Sequence, residues 1–140
     1  LKIVVLVVGK LRDRNLAALC ESYVIRARRH LPVEVVEVDD DLALARRWPV
    51  SGETIALEPG GAAWTTPALA QRLEERMTRG TRVLTFVIGG ADGLPAALVA
   101  RAHLRLSLSP MTLPHRIARL VLCEQIYRAL TIIRHEPYHH

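Results

Sequence analysis

The chain has 140 residues, half of them apolar, with a formal net charge of +5 and a pI near 9.9. That length suits a single domain spanning residues 1–140. No apolar run nears the roughly 18 residues of a membrane span, and the opening segment lacks a small-residue cleavage site, so a soluble, cytoplasmic protein is expected, neither membrane-bound nor exported.

The first element, "KIVVLVV", is a continuous apolar run of strand length closed by Gly9, the pattern of a buried strand in a parallel sheet. A helix follows, with Asn15 as its expected N-cap and Leu16, Leu19, Cys20, Tyr23 and Val24 at helical spacing. Cys20 and Cys123 lie outside any paired-cysteine motif, so two reduced core thiols are expected and no disulfide framework or zinc ribbon. The cluster Arg26, Arg28, Arg29 and His30 either tracks a polyanion or simply solvates a helix end.

"VEVVEV" at 33–38 predicts a second strand, "DDDLALARRWPVSG" a charged irregular connection, and "TIALE" at 54–58 a third strand. Pro67 then sits in the first turn of a helix that Gly80 closes. "TRVLTFVIGG" reads as the next strand, and "ADGLP" turns it into a helix over about 95–103. "LRLSLS" alternates, with Leu104, Leu106 and Leu108 on one side and Arg105, Ser107 and Ser109 on the other. Strands alternating with helices predict an α/β fold with a mostly parallel sheet flanked by helices.

The final helix, "MTLPHRIARLVLCEQIYRAL", is apolar in almost every direction. Such a helix is buried on more than one side: the sheet covers one, and a second copy of the chain is expected on another. The alternative is cover by other helices of the same chain. Glu124 and Arg128 have the spacing of an i,i+4 ion pair.

The glycine-bearing turn "IGGADGL" follows a strand and precedes a helix, where α/β proteins bind ligands. It matches neither the dinucleotide fingerprint nor a phosphate loop. With "LEPGGAAW" and "LSPMTLPH" it forms a set of nearly neutral loops, suited to an adenosine-containing, weakly charged cofactor held by backbone groups. His135, His139 and His140 stand close to Glu136, but Pro137 breaks the helical spacing a metal site would use, so no metal is expected. No serine lies in a G-x-S-x-G elbow.

Together, "GGAAWTTPALAQRLE", "FVIGGADGL", "LSLSPMTLPHRIARLVLCEQIYRA" and "HEPYHH" closely resemble the SPOUT-class methyltransferases that modify N3 of a pseudouridine in bacterial large-subunit ribosomal RNA (the RlmH family). The resemblance implies a SPOUT-type α/β fold with a deep trefoil knot, a homodimer, S-adenosylmethionine as methyl donor, and 23S rRNA on the assembled 70S ribosome as substrate. By matching motifs it implies cofactor contacts from Leu57, Gly89, Leu108, Ser109, Pro110, Met111, Thr112 and Leu113, and active-site positions at His115, Arg128, Tyr138 and His139. Arg128 would stabilise a developing anion or grip a phosphate, and His139 or His115 would relay the proton. The "EPYHH" tail, unable to extend the helix, would cross the dimer interface into the partner's site. Two departures stand out against the family: a shortened connection from Asp39 to Thr54, and His140 at a position where arginine is common. A methyltransferase for another RNA such as tRNA, or a non-catalytic ribosome-binding protein of the same fold, are the alternatives.

Overall fold

In the computed structural model, which describes residues 1–140, strands β1 (Lys2–Val8), β2 (Val33–Val38), β3 (Glu53–Ala63), β4 (Val83–Ile88) and β5 (Leu104–Ser107) form one sheet. Its order is β2-β1-β4-β3-β5, and every pairing is parallel. The central strands carry the most continuous apolar sequence because both of their faces are covered. Ile3, Val5 and Val7 of β1 join Leu84, Phe86 and Ile88 of β4 in one core. Leu6, Val8 and Val87 point to the other.

Helices α1 (Arg14–Ala27), α3 (Thr66–Arg79) and α5 (His115–Ile133) cover the first face. The short helices α2 (Asp41–Arg47) and α4 (Ala96–Val99) cover the second through Leu44, Trp48 and Leu98. An α/β class with helices on both faces of a parallel sheet is therefore what the chain forms. No helix is long and apolar enough to cross a membrane.

Local chemistry moved several boundaries. Asp13, not Asn15, caps α1: its carboxylate accepts from Leu16 N at 2.9 Å, and Asn15 lies inside the first turn. The supposedly irregular connection after β2 folds into α2, because Asp40 accepts from Ala43 N at 2.8 Å while Asp41 and the Arg46–Arg47 pair sit at the macrodipole ends that favour them. β3 runs past Glu58 as far as Ala63, since Leu57 and Ala62 both face Leu106 across a bulge. Gly61 permits this close approach: a Cβ there would lie 2.7 Å from Leu106 N. The helix expected over 95–103 is a single turn. His103 N donates to Thr54 O at 3.0 Å, which draws the chain into β5. The alternation of "LRLSLS" stops at Ser107, which is buried beside Leu106 and donates through its Oγ to Ser109 O at 3.0 Å, turning the chain away from the sheet.

The all-round apolar character of α5 is met largely within the chain. It packs between α1 and α3, so these helices take sides that the sequence assigned to a second copy. Leu122, Ile126 and Leu130 are fully buried, each worth about 1.5–3 kcal/mol of transfer free energy. Ile117 remains 38% exposed, as do Leu19 and Ile25 of α1 at 44% and 51%. Cys20 and Cys123 are free and buried, and burial pushes the Cys123 thiol up to about 12, so it stays protonated and inert.

Candidate functional site

The bulged stretch of β3 and the loops after β4 and β5 meet at the carboxyl edge of the sheet around a cavity of about 690 Å³. Their closeness follows from the strand order, which sets β4, β3 and β5 side by side with their ends aligned. Leu57, Gly89, Leu108, Ser109, Met111, Thr112 and Leu113 all line it; Pro110 does not. His115, at the first position of α5, stands at the same wall.

Each loop is held tight by a specific device. Gly93 takes a positive φ of 77° and donates its N–H to Gly90 O at 3.0 Å, folding the β4 loop back on itself. A Cβ on Gly89 would lie 2.6 Å from Leu94 N, so only glycine fits there. In the β5 loop, Ser109 Oγ accepts from Met111 N at 2.9 Å. The peptide N–H and C=O groups of Gly89, Leu108, Thr112 and Leu113 enter no hydrogen bond within the chain. Open peptide groups between walls supplied by Leu57, Ile88, Leu106 and Leu113 suit the polar edge and apolar faces of a planar heterocycle.

The cavity is less neutral than its loops suggested. Glu58 and Asp92 both line it. Glu58 Oε2 is buried without a hydrogen bond, and its closest cation is Arg105 at 3.9 Å. The sequence signal for Glu58 was its place directly after Leu57 in a loop classed as neutral. Two carboxylates here favour a ligand that carries positive charge.

The other site residues lie at the far end of α5. Thirteen residues separate His115 from Arg128, about 20 Å along a helix. Arg128 Nε donates to Glu124 at 2.5 Å, the i,i+4 pair read from the spacing, and this contact raises the Arg128 pKa. Its guanidinium also lies over the Tyr138 ring, 4.6 Å from the centroid. Tyr138 packs edge-on against Tyr127 at 4.7 Å, and Tyr127 stands 6.2 Å from Tyr23. Burial first, and then the neighbouring Tyr23 hydroxyl, push the Tyr138 pKa up, which makes it a neutral phenol and hydrogen-bond donor.

The tail reverses at His135, whose φ is 56°, and Glu136 N donates to Thr131 O at 2.9 Å. Glu136 reaches His30 Nε2 at 3.5 Å. His139 and His140 are exposed. No group of three or more His, Cys, Asp or Glu side chains is arranged to hold a metal ion. Three members of the Arg26-to-His30 cluster are engaged internally while Arg29 is exposed: Arg26 stacks on Tyr23 and Tyr127, Arg28 donates to Val33 O at 2.9 Å and pairs with Glu21, and His30 meets Glu136. Sequence patterning missed this aromatic cluster because Tyr23, Tyr127 and Tyr138 converge only when α1, α5 and the tail pack together.

Comparison with known proteins gives the family and supports the fold. A family model described as "Predicted SPOUT methyltransferase" matches residues 1–139. The "Ribosomal RNA large subunit methyltransferase H" of Sorangium cellulosum (strain So ce56) is 43% identical, with the alignment covering 100% of both chains. In fold, the chain is similar to the "probable methylase family protein" of Haemophilus influenzae Rd KW20 (TM-score 0.61, 10% identity, 95% of this chain and 68% of that one). It is also similar to a methyltransferase from Legionella pneumophila in complex with the bound cofactor SAM (TM-score 0.55, 15% identity, 92% of this chain and 66% of that one). With a family model matched almost end to end and a full-length relative well above 30% identity, the chain belongs to the SPOUT methyltransferase family.

Proposed function

We propose that the chain transfers a methyl group from S-adenosylmethionine to N3 of a pseudouridine in 23S rRNA on the assembled 70S ribosome, acting as a homodimer. Family membership supports methyl transfer, and the name of the full-length relative supports large-subunit rRNA as the substrate. The same membership supports a single domain over residues 1–140 and a trefoil-knotted path for the three loops around the cavity.

The residues present fit the cofactor. The open peptide groups of Gly89, Leu108, Thr112 and Leu113 match an adenine edge, and Glu58 and Asp92 balance a ligand with cationic centres. When bound, the cofactor supplies an electrophilic methyl group on a sulfonium sulfur. The chain's own residues must align the acceptor and take the proton from the weakly acidic ring N3–H. His115 or His139 accepts that proton, Arg128 stabilises the charge left on the ring or holds a neighbouring phosphate, and Tyr138 donates a hydrogen bond as a neutral phenol.

The observation that carries this proposal is the distance along α5. One chain holds its cavity at one end of the helix and Arg128, Tyr138 and His139 at the other, so a complete site needs the tail of a second copy. Leu19, Ile25 and Ile117 supply exposed aliphatic surface for that contact.

The test is transfer of labelled methyl to ribosomes lacking the modification, with free rRNA and tRNA alongside. Label on N3 of a pseudouridine in ribosomes alone is the expected result. Label on free RNA would assign another substrate, and cofactor binding without transfer would leave a ribosome-binding role. Mixing inactive Gly89→Ala and Arg128→Ala proteins should then restore about a quarter of wild-type activity, because half of the re-assorted dimers carry one intact site of two. No recovery would sink the shared site.

A further inference from the structure

Four cations lie at the cavity's end of the sheet with no carboxylate in ion-pair contact, Lys10 acting on Glu37 only from a distance. Lys10 and Arg12 lie on the β1–α1 loop, Arg14 opens α1, and Arg116 is the second residue of α5. All four are exposed, and none makes an ion pair. Arg28, Arg76, Arg105, Arg119 and Arg128, by contrast, each hold a carboxylate.

Arg14 and Arg116 stand where a helix disfavours a cation. The N-terminal end of a helix carries partial positive charge, so a cation in the first turn is repelled. At α1 the Asp13 N-cap carboxylate offsets part of this, while α5, with Pro114 at its N-cap, has no side-chain cap and no acidic residue in its first turn. The nearby carboxylates are committed elsewhere or lie to one side. Glu37 accepts from both Leu11 N at 3.0 Å and Arg119 at 2.7 Å, Asp13 caps α1, and Asp40 caps α2 beyond the end of β2. Asp39 and Asp41 flank Asp40 one strand further from the cavity, and Asp92 stands on the cavity loop itself.

The loop that carries Lys10 and Arg12 is nevertheless built in place. The Glu37 contacts tie it to β2 and α5 together. Lys10, Arg116 and Arg119 share a cleft with His115, and His115 also lines the cofactor cavity. The cations therefore begin at the cavity mouth and continue across the starts of two helices.

We infer that Lys10, Arg12, Arg14 and Arg116 form a rim that grips backbone phosphates of the RNA strand flanking the target nucleotide. The rim fixes the strand's path from the cavity mouth across the N-terminal ends of α5 and α1. It rests on the rRNA substrate proposed above, and adds which surface holds that substrate. Phosphates answer both sources of positive charge here, the side chains and the helix ends. In the Arg26-to-His30 cluster, another basic segment, Arg26, Arg28 and His30 are taken up by internal contacts and only Arg29 is left over.

Ribosome binding by the full-length protein, measured over a salt series, tests the rim without requiring transfer. Replacing all four cations by glutamine should weaken binding at least tenfold near physiological salt and lower the slope of log affinity against log salt by about 3, at roughly 0.7 per lost phosphate contact. Cofactor affinity should stay within twofold, and the melting temperature should hold or rise. A control with the same charge change, Arg46→Gln, Arg47→Gln, Arg79→Gln and Arg82→Gln, should bind nearly as wild type. Equal binding by rim variant and control, at any salt, overturns the rim. Wild-type protein that binds ribosomes but transfers no methyl would refute the proposed reaction while leaving the rim to stand on the variant's loss. Wild-type protein that neither binds nor transfers would refute both.

Discussion

The two ends of α5 solve different problems with the same backbone. At its start, loops from β3, β4 and β5 leave main-chain groups open around a cavity, and the side chains contribute mostly walls. At its end, side chains do the work: Arg128 is paired with Glu124 and stacked on Tyr138, and three tyrosines gather there with Arg26. In the proposed reaction the first end would hold the cofactor through peptide groups and the second would stabilise charge, and a single 19-residue helix keeps the two apart. The lesson is that a residue set matching one active site by motif need not form one site in one chain.

Breaking the tail end should be the most damaging to chemistry. Arg128→Ala is expected to lower kcat by about 10²–10³, the cost of removing one charge-stabilising donor, with cofactor affinity within twofold. Isothermal titration alongside single-turnover transfer separates the two quantities. An equal loss in cofactor binding would place Arg128 beside the cavity after all.

Breaking the cavity end should do the reverse. Gly89→Ala forces a Cβ against the Gly93–Leu94 peptide and must open the loop, raising the cofactor Kd at least tenfold and costing about 1–3 kcal/mol of stability. Aromatic packing around Tyr138, followed by near-ultraviolet circular dichroism, should be unchanged. A normal Kd would mean that the β4 loop does not touch the cofactor.

The smallest effect concerns the clamp beneath the rim. Burial alone would raise the Glu37 pKa, but the Arg119 guanidinium and Leu11 N–H outweigh it and hold the carboxyl below its usual range. A depressed folded pKa gives stability that is full above the unfolded value and lost as pH falls through the folded one. Glu37→Gln should therefore cost about 2 kcal/mol at pH 7 and progressively less below about pH 4. Hydrogen exchange at the Leu11 amide should speed up in the variant at neutral pH, and in wild type only in acid. Exchange at Tyr138 should not follow.

Much of this was legible in the chain itself. The run of β1, the Pro67 start and Gly80 close of α3 and the glycine loop after β4 follow from periodicity and capping chemistry that act within a few residues. The segments that line the cavity could be named, Pro110 excepted, because their motifs are contiguous. The boundaries that slipped did so where a distant partner decided them. Thr54 captures His103 and shortens α4, and Leu106 accepts two segments of β3.

What the sequence by itself determined is the order of the five strands and of the helices other than α2, the segments that carry the family motifs and the place where α5 must stop, since each depends on local geometry and on Gly, Pro and capping residues. Only the tertiary structure decided that α1 and α3 flank α5, that Glu58 Oε2 is buried in the cavity wall without a hydrogen bond, that Glu37 is taken by Arg119 and Leu11 N–H, and that His115 and Arg128 face different neighbourhoods. Those facts depend on which side chains meet across the sheet, and pairings of residues tens of positions apart leave no local pattern to read.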